Sequence, residues 1–292
     1  MMKIGAIIVT FNPDVDNLSG LISRLLLQNI KIVIVDNGSK SFNLVTNNYE
    51  LIRLNENKGI ASAQNIGIQY LLSEEVDYII FFDQDSEIDN KFIGNLFNEF
   101  LYIKNNIDSK ILAIGPRLYN ENNDYFYKIT NVNFWGFRKH LDVSNISQSV
   151  EATIIISSGS LVSVKDLLKV GFMRDNLFID YVDIEWCFRA KGMGFHCYVA
   201  HNVIMKHRIG DYDLNINKSP RSVHSAFRKY FQIRNAILLL NISSVPKLFA
   251  LKEILGHILF SLRLIYLIKK SRRQYSIALL KGIRDGLRGI FL

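Results

Sequence analysis

Three features of this 292-residue chain predict an α/β fold with a mostly parallel central sheet. Apolar runs of strand length alternate with helix-spaced segments through the first half, and the strand-like runs end in polar or turn residues. The composition, 49% hydrophobic and 21% charged, fills one large α/β core with a helical appendage better than two independent cores.

Taken in order, residues 4–9 read as a strand, 15–27 as a helix, 32–35 and 51–54 as strands and 61–72 as a helix. Residues 78–82 follow as a strand, 91–104 as a helix and 111–114 as a strand. That rhythm builds βαβ units, whose strands run parallel. Open sheets of this kind collect ligands at the carboxyl ends of their strands. Thr10-Phe11-Asn12, Asp36-Asn37-Gly38-Ser39, Asn55-Glu56-Asn57 and Asp83-Gln84-Asp85 are therefore expected on one rim.

Residues 119–140 are aromatic and irregular and read as a substrate-facing insertion in the same domain. A strand is expected over 152–156, followed by the small, flexible Ser157-Ser158-Gly159-Ser160. Residues 180–191 keep helical spacing up to Gly192, two short strands follow over 195–199 and 203–206, and beyond Ser219-Pro220 the chain reads as helical. The expected division is a catalytic domain over 1–218 and a basic helical region over 219–292.

Charge is unevenly spread. Residues 201–292 hold 17 Lys and Arg against four Asp and Glu, so the formal net charge of +8 belongs to the C-terminal third. Aliphatic and aromatic residues crowd between these cations, which suits an anionic membrane surface better than nucleic acid. Cys187 and Cys197 lack metal-ligand spacing and read as two buried, reduced thiols. Met1-Met2-Lys3 precedes only a short strand, with neither a signal-peptide core nor a spanning helix, so the expected place is inside the cell.

Several motifs carry chemistry. The run Tyr78-Ile79-Ile80-Phe81-Phe82 stops at Asp83-Gln84-Asp85. In an extended chain Asp83 and Asp85 fall on one side and could share a divalent cation, Mg²⁺ or Mn²⁺, with phosphate oxygens completing its shell. A polar turn with Asp85 or Ser86 capping the following helix explains the same residues. Asp36 could accept from a ribose hydroxyl or a pyrimidine N–H, or simply close an Asx turn. Asn57-Lys58-Gly59, with Ala61, Ala63, Asn65 and Gly67, starts a helix whose small residues admit a phosphorylated ligand or pack tightly on the sheet.

Asp183 falls in the first turn of a helix, where the dipole favours its charged form, and it could accept a proton from an attacking hydroxyl. Asp180 and Asp183 could also be a cap and its partner, while Glu185 and Arg189 read as an i,i+4 ion pair. His207 could complete a cation site, with His196 and His201 as bystanders. The first strand is followed by Thr-Phe-Asn-Pro rather than Gly-x-Gly-x-x-Gly, which disfavours a dinucleotide-binding dehydrogenase.

With Val9-Thr10-Phe11-Asn12, Val35 to Ser39, Asn57 to Gly67, Asp83-Gln84-Asp85, Ser158-Gly159-Ser160 and Asp183 to Arg189 in this order, residues 3–240 resemble glycosyltransferase family 2. Within it, the Phe-Asp-Gln-Asp motif and the Ile-Asp-Tyr-Val-Asp-Ile-Glu-Trp-Cys-Phe-Arg segment look like bacterial rhamnosyltransferases that use dTDP-L-rhamnose to build O-antigen and related surface polysaccharides.

The resemblance implies a GT-A fold and an inverting transfer. Thr10, Asn12 and Asp36 would hold the nucleoside, and Asn57 and Asn65 would line the diphospho-sugar cleft together with Gly59, Gln84 and Gly159. Asp83 and Asp85, helped by His207, would hold Mg²⁺ or Mn²⁺, and Asp183 would be the base. Many relatives carry an acidic pair at the base position, whereas here Val182 precedes Asp183. Arg234 could contact an anionic group of donor or acceptor, or lie on a solvated face.

From Leu251 to Tyr266 apolar residues keep helical spacing, interrupted by Lys252, Glu253, His257 and Arg263. This predicts a helix lying in the membrane interface rather than spanning it. The implied acceptor, a polyprenyl-diphosphate-linked glycan, would be anchored in the same membrane. Packing on the rest of the chain, or on another subunit of a homo-oligomer, is the competing use of that face. A nucleotide-binding scaffold without catalysis, or transfer of another hexose, are the alternative functions.

Overall fold

A computed structural model describes residues 2–40, 42, 44, 48–121, 123–206, 212–216 and 219–290. The chain divides into two compact units. The first comprises Met1–Asn131, His140–Phe178 and Val182–His207, and the second Val132–Lys139, Ile179–Tyr181 and Arg208–Leu292.

The first unit begins β1 (Ile4–Thr10), α1 (Val15–Leu27), β2 (Lys31–Asp36), β3 (Glu50–Arg53), α2 (Gly59–Ser73), β4 (Tyr78–Asp83) and α3 (Phe92–Asn106). It continues with β5 (Ile111–Asn120), β6 (Tyr125–Phe126), the paired β7 (Ile129–Val132) and β8 (Arg138–Leu141), whose shared tip belongs to the second unit, and β9 (Val150–Ala152). Last come β10 (Leu161–Ser163), α4 (Val164–Val170), α5 (Val182–Gly192) and β11 (His196–Lys206). The sheet order is β3-β2-β1-β4-β10-β5-β11-β9, with β6 beside β5. Strands β3, β2, β1 and β4 are mutually parallel, β10 runs antiparallel between β4 and β5, and β9 antiparallel beside β11.

Burial on both faces explains why the parallel strands read as unbroken apolar runs. Ala6, Ile8, Ile32, Ile34, Ile80 and Phe82 turn one way and meet the apolar stripes of α1 and α3. Ile7 turns the other way, toward α2, where a Cβ on Gly67 would lie 2.6 Å from its methyl group. The small residues of α2 thus serve close helix–sheet packing, with Ala61 and Ala63 fully buried.

Some boundaries differ from expectation for identifiable reasons. Residues 196–206 form one strand instead of two, irregular between Val199 and Ile204, where its partner β5 presents Pro116, which has no N–H to give the ladder. Helix α5 starts at Val182 instead of residue 180, because Asp180 and Tyr181 have φ of 62° and 66°, outside the right-handed helical region. The helical tail begins only at Ala226, after β12 (Tyr212–Ile216) and β13 (Ser219–Val223) pair antiparallel.

In the second unit α6 (Ala226–Leu238), α7 (Lys247–Leu267) and α8 (Arg272–Ile290) pack together. Gly282, Gly286 and Gly289 of α8 face Ile233, Ile237 and Leu238 of α6, so the two backbones approach closely. The segment 179–181, left-handed at Asp180 and Tyr181, is held by polar side chains of the same unit. Arg228 pairs with the Asp180 carboxylate at 2.8 Å, and Asn235 Nδ2 donates to the carbonyls of Ile179 and Asp180 at 2.8 and 3.0 Å. The Tyr181 hydroxyl lies 2.9 Å from Glu253 Oε2 and 2.6 Å from His257 Nε2, and Arg138 pairs with the same Glu253 oxygen at 2.9 Å.

Burial, then the Lys229 charge, hold the His257 imidazole down to about 4, from an ordinary value of 6.5. The folded chain therefore takes up this proton only below about pH 4, whereas the unfolded chain takes it up near pH 6.5. Stability present above pH 6.5 is lost as pH falls toward 4, by about 2–3 kcal/mol. Urea unfolding at pH 7, 5.5 and 4 should show this loss, and His257→Gln should remove that part of the pH dependence.

Candidate active site

Strand register assembles the rim. Thr10 is the partner of Asp36 across β1 and β2, and Val9 is the partner of Asp83 across β1 and β4, so three strand ends lie side by side about 4.8 Å apart. At the first two ends, Asp36 Oδ1 accepts from Thr10 Oγ1 at 3.4 Å, from the Ser39 N–H at 3.2 Å and from the Ser39 hydroxyl. Asp36 thus closes the local turn through the N–H three residues on, rather than two as in an Asx turn. Asn12, at φ 47°, joins the same cluster, since its N–H donates to Ser39 Oγ at 2.7 Å and its Oδ1 accepts from Lys40 N at 3.2 Å. Thr10 and Asp36 are almost fully buried.

A second set of amides ties the next loops together. Asn37 Nδ2 donates to Asn57 Oδ1 at 3.0 Å, Asn57 Oδ1 also accepts from Gly59 N at 2.9 Å, and Asn37 Oδ1 accepts from Lys58 N at 2.8 Å. Gly59 has φ 85°, and a Cβ there would lie 2.5 Å from the Phe178 carbonyl oxygen, so a larger residue would displace the strand-to-helix loop. Gln84 holds β4 to β1, its Oε1 accepting from Phe11 N at 2.7 Å. Asn65, expected in the cleft, instead locks a distant loop: its amide donates to Met173 O and Asp175 Oδ1 and accepts from Met173 N, at 2.7–2.9 Å.

The acidic couple sits differently from an extended pair. Gln84 and Asp85 form a turn, closed by a 3.1 Å bond from Ser86 N to Asp83 O, with Asp83 half-buried and Asp85 exposed. Neither Asp85 nor Ser86 caps α3, which begins at Phe92 after Asp89 Oδ1 accepts from Lys91 N at 2.7 Å. The capping explanation for Asp85 is removed. Among the described residues no group of three or more His, Cys, Asp or Glu could hold a metal ion. His207 lies outside the described residues. His196 and His201 are engaged elsewhere, with Asp108 and with Ser149.

Asp183 is brought to this rim by the segment 157–160. Ser157 N–H donates to Asp183 Oδ2 at 3.1 Å, and Ser158 Oγ accepts from the Asp83 N–H at 3.1 Å while pairing with Ser86 Oγ at 2.9 Å. Two successive residues therefore touch the candidate base and the start of the acidic turn. Gly159 N donates to Phe81 O at 2.7 Å and Gln64 Nε2 to Ser157 Oγ at 3.1 Å, fixing the segment along β4 and α2.

Around Asp183, α5 is anchored by charge. Glu185, fully buried, receives Arg189 at 2.8 and 3.0 Å and Arg174 at 2.8 Å, and Arg189 also donates to the carbonyls of Val170 and Phe172. The expected i,i+4 pair is thus the centre of a larger clamp. Asp180 does not cap this helix, its carboxylate being bonded to Arg228. Arg234, in the second unit, is not a solvated cation: its guanidinium donates to Asn235 Oδ1 at 2.7 and 2.9 Å and stacks 4.6 Å over Phe231.

The family model of Glycosyl transferase family 2 matches residues 6–167, and a dTDP-rhamnosyl transferase, RfbF of Shigella flexneri, is 38% identical over 99% of this chain and 96% of its own. The chain belongs to glycosyltransferase family 2. This glycosyltransferase also shares the fold of S. aureus TarS 1–349 in complex with UDP-GlcNAc, with TM-score 0.53 and 16% identity over 97% of this chain and 81% of that one. GalNAc-T7 with UDP, GalNAc and Mn²⁺ gives TM-score 0.55 at 12% identity, over 87% of this chain and 54% of that one. The architecture is the GT-A fold expected from the motifs. Asp183 and Arg234 lie beyond the family-matched segment.

Sequence reasoning missed Ser157, Ser158, Gln64 and Asn37 as the fasteners of this glycosyltransferase's rim. The Ser-Ser-Gly-Ser run was a visible signal, while Gln64 had none, being one polar residue in an apolar helix. Ser158→Ala removes the acceptor of the Asp83 N–H and the partner of Ser86, and should cost about 1–3 kcal/mol in urea unfolding. The same variant should lower glycosyl transfer at saturating donor, because the acidic turn loses its anchor.

Proposed function

We propose that this glycosyltransferase moves L-rhamnose from dTDP-L-rhamnose to a polyprenyl-diphosphate-linked glycan at the cytoplasmic face of the bacterial membrane, inverting the sugar's C1. The observation that carries this reading is the segment 157–158, which bonds Asp183 on one residue and the Asp83 backbone on the next. A proton acceptor and an acidic turn at a strand end thereby share one rim. The donor and the sugar come from the 38% identical rhamnosyl transferase.

In this reading Thr10, Asn12 and Asp36 receive the nucleoside. Among the described residues the bonds to the Asp36 carboxylate fall on Oδ1, and in this reading Oδ2 receives a ribose hydroxyl or base N–H. Asn57, Gly59, Gln84 and Gly159 shape the backbone around the diphosphate, Asn65 supports them from behind through Met173 and Asp175, and Arg234 orders its own helix. Asp83 and Asp85 would hold Mg²⁺ or Mn²⁺, which when bound neutralises charge gathering on the departing dTDP. Asp183 takes the proton of the acceptor hydroxyl as its oxygen bonds to C1 and the bond from C1 to the diphosphate oxygen breaks. A helix N-terminus such as the start of α5 favours a negative charge in its first turn.

In this reading the chain attaches to the membrane surface; among the described residues no helix is long and apolar enough to cross a bilayer. The basic, partly apolar α7 and α8 supply the contact, and a second copy of the chain is the competing partner for that surface.

A thermal-shift panel of nucleotide sugars with and without Mn²⁺ should give the largest stabilisation with dTDP-rhamnose plus metal. Asp83→Asn should lose the metal-dependent part. Asp183→Asn should keep the donor shift while transfer falls about 10²–10⁴-fold. Normal turnover by Asp183→Asn would remove it from the mechanism.

A further inference from the structure

The second unit carries an aromatic tip that neither the resemblance nor the fold explains. Between β7 and β8, Phe134 is 88% exposed, Trp135 68% and Phe137 49%. The backbone of the tip is tied by hydrogen bonds: Asn133 Oδ1 accepts from Phe137 N at 2.9 Å, Gly136 N donates to Asn133 O at 2.9 Å, and Asn133 N to Phe137 O at 3.0 Å. Water thus meets exposed apolar rings, and the rings of Phe134 and Trp135 lie edge to face, 5.6 Å apart.

The tip is seated on α7. Gly136, at φ 86°, lies so close to Phe249 that a Cβ would be 2.5 Å from the Phe249 nitrogen. Arg138 pairs with Glu253, and Lys252 Nζ lies 3.5 Å from the centroid of Phe137. Beside these contacts runs an exposed stripe of α7, Leu248, Leu251, Leu255, Leu259, Leu262 and Tyr266. At roughly 100° per residue these six fall within about 80° of one another, on the side away from buried Ala250, Ser261 and Leu264.

We propose that the Phe134-Trp135-Gly136-Phe137 tip is a wedge which, with the leucine stripe of α7, seats this unit in the interface of an anionic lipid bilayer. The proposal rests on the membrane reading given above and names the surface that carries it. Charge decides the occupant. Lys252, Arg263, Lys269, Lys270 and Arg273 lie along or just beyond this stripe, and none forms an ion pair with a carboxylate among the described residues. Nearby Glu253 is already taken by Arg138 and Tyr181. A second copy would set cations against cations, whereas lipid phosphates at the depth of the rings complement them.

Tryptophan makes the test direct, because the chain has two and the other, Trp186, is buried and donates to Gly171 O at 2.9 Å. The full-length protein is mixed with vesicles of phosphatidylethanolamine and phosphatidylglycerol, or of phosphatidylcholine alone, and both vesicle sedimentation and tryptophan emission are read. The expected result is binding to the anionic vesicles, a blue shift, and quenching by acyl-brominated lipid that Trp135→Phe abolishes. The double variant Phe134→Ser/Trp135→Ser should lose about tenfold or more in vesicle partitioning while keeping its thermal shift with dTDP-rhamnose. Binding without quenching would overturn the wedge and leave the tail as the membrane contact. Absence of binding would overturn both, leaving the transferase reading to its own donor assay. A blue shift that grows with protein concentration in the absence of lipid, with dimers in sedimentation, would assign the surface to a second copy and overturn the proposal.

Discussion

The candidate site depends on two adjacent hydrogen bonds made by the segment between β9 and β10. Ser157 gives its N–H to Asp183, and Ser158 takes the N–H of Asp83. Successive Cα atoms are about 3.8 Å apart, so this dipeptide sets how far the candidate base can stray from the acidic turn. Asp83 and Asp183 are a hundred positions apart in sequence, and chain entropy opposes such a pairing unless something rigid spans it. Here β10 provides rigidity, because it is paired on both edges, with β4 and β5.

The remaining fasteners act one layer out. Burying a carboxylate without partners is costly, and buried Glu185 has two arginines, one of which also takes the carbonyls of Val170 and Phe172. That arrangement binds α5 to the turn after α4, and Trp186 adds a bond to Gly171 O. Asn65 reaches the same region from α2 through Met173 and Asp175. The first turn of α5 is therefore fixed from its neighbours before any ligand arrives, which is what a preorganised base requires.

How much of this was legible depended on whether the signal was periodic or positional. Strands at residues 4, 31 and 78 and helices at 15, 59 and 92 were legible because burial on one or both faces writes a period into the sequence. The rim followed from topology, since parallel strands place Thr10, Asp36 and Asp83 together by register. Asn65 was misjudged because a buried amide looks the same whether it meets a ligand or a loop backbone. The Asp83-Gln84-Asp85 geometry was misjudged because alternation holds only within a strand, and the chain turns at Gln84. The irregularity in β11 reads in the sequence as a gap between two strands, because whether the chain continues as one strand past Pro116 depends on which strand lies alongside. The aromatic run at 134–137 was seen, but composition alone does not tell a substrate loop from a tip seated on a distant helix.

The start of α5 joins these themes. Phe178, Asp180 and Tyr181 all hold left-handed backbone, which costs non-glycine residues on the order of 1 kcal/mol or more each. Such a turn persists only where its neighbours over-determine it. Arg228 and Asn235 of α6, with Glu253 and His257 of α7, bond residues 179–181 through both side chains and carbonyls. The next residue, Val182, is the first of α5. Asp183 lies in the first turn of that helix.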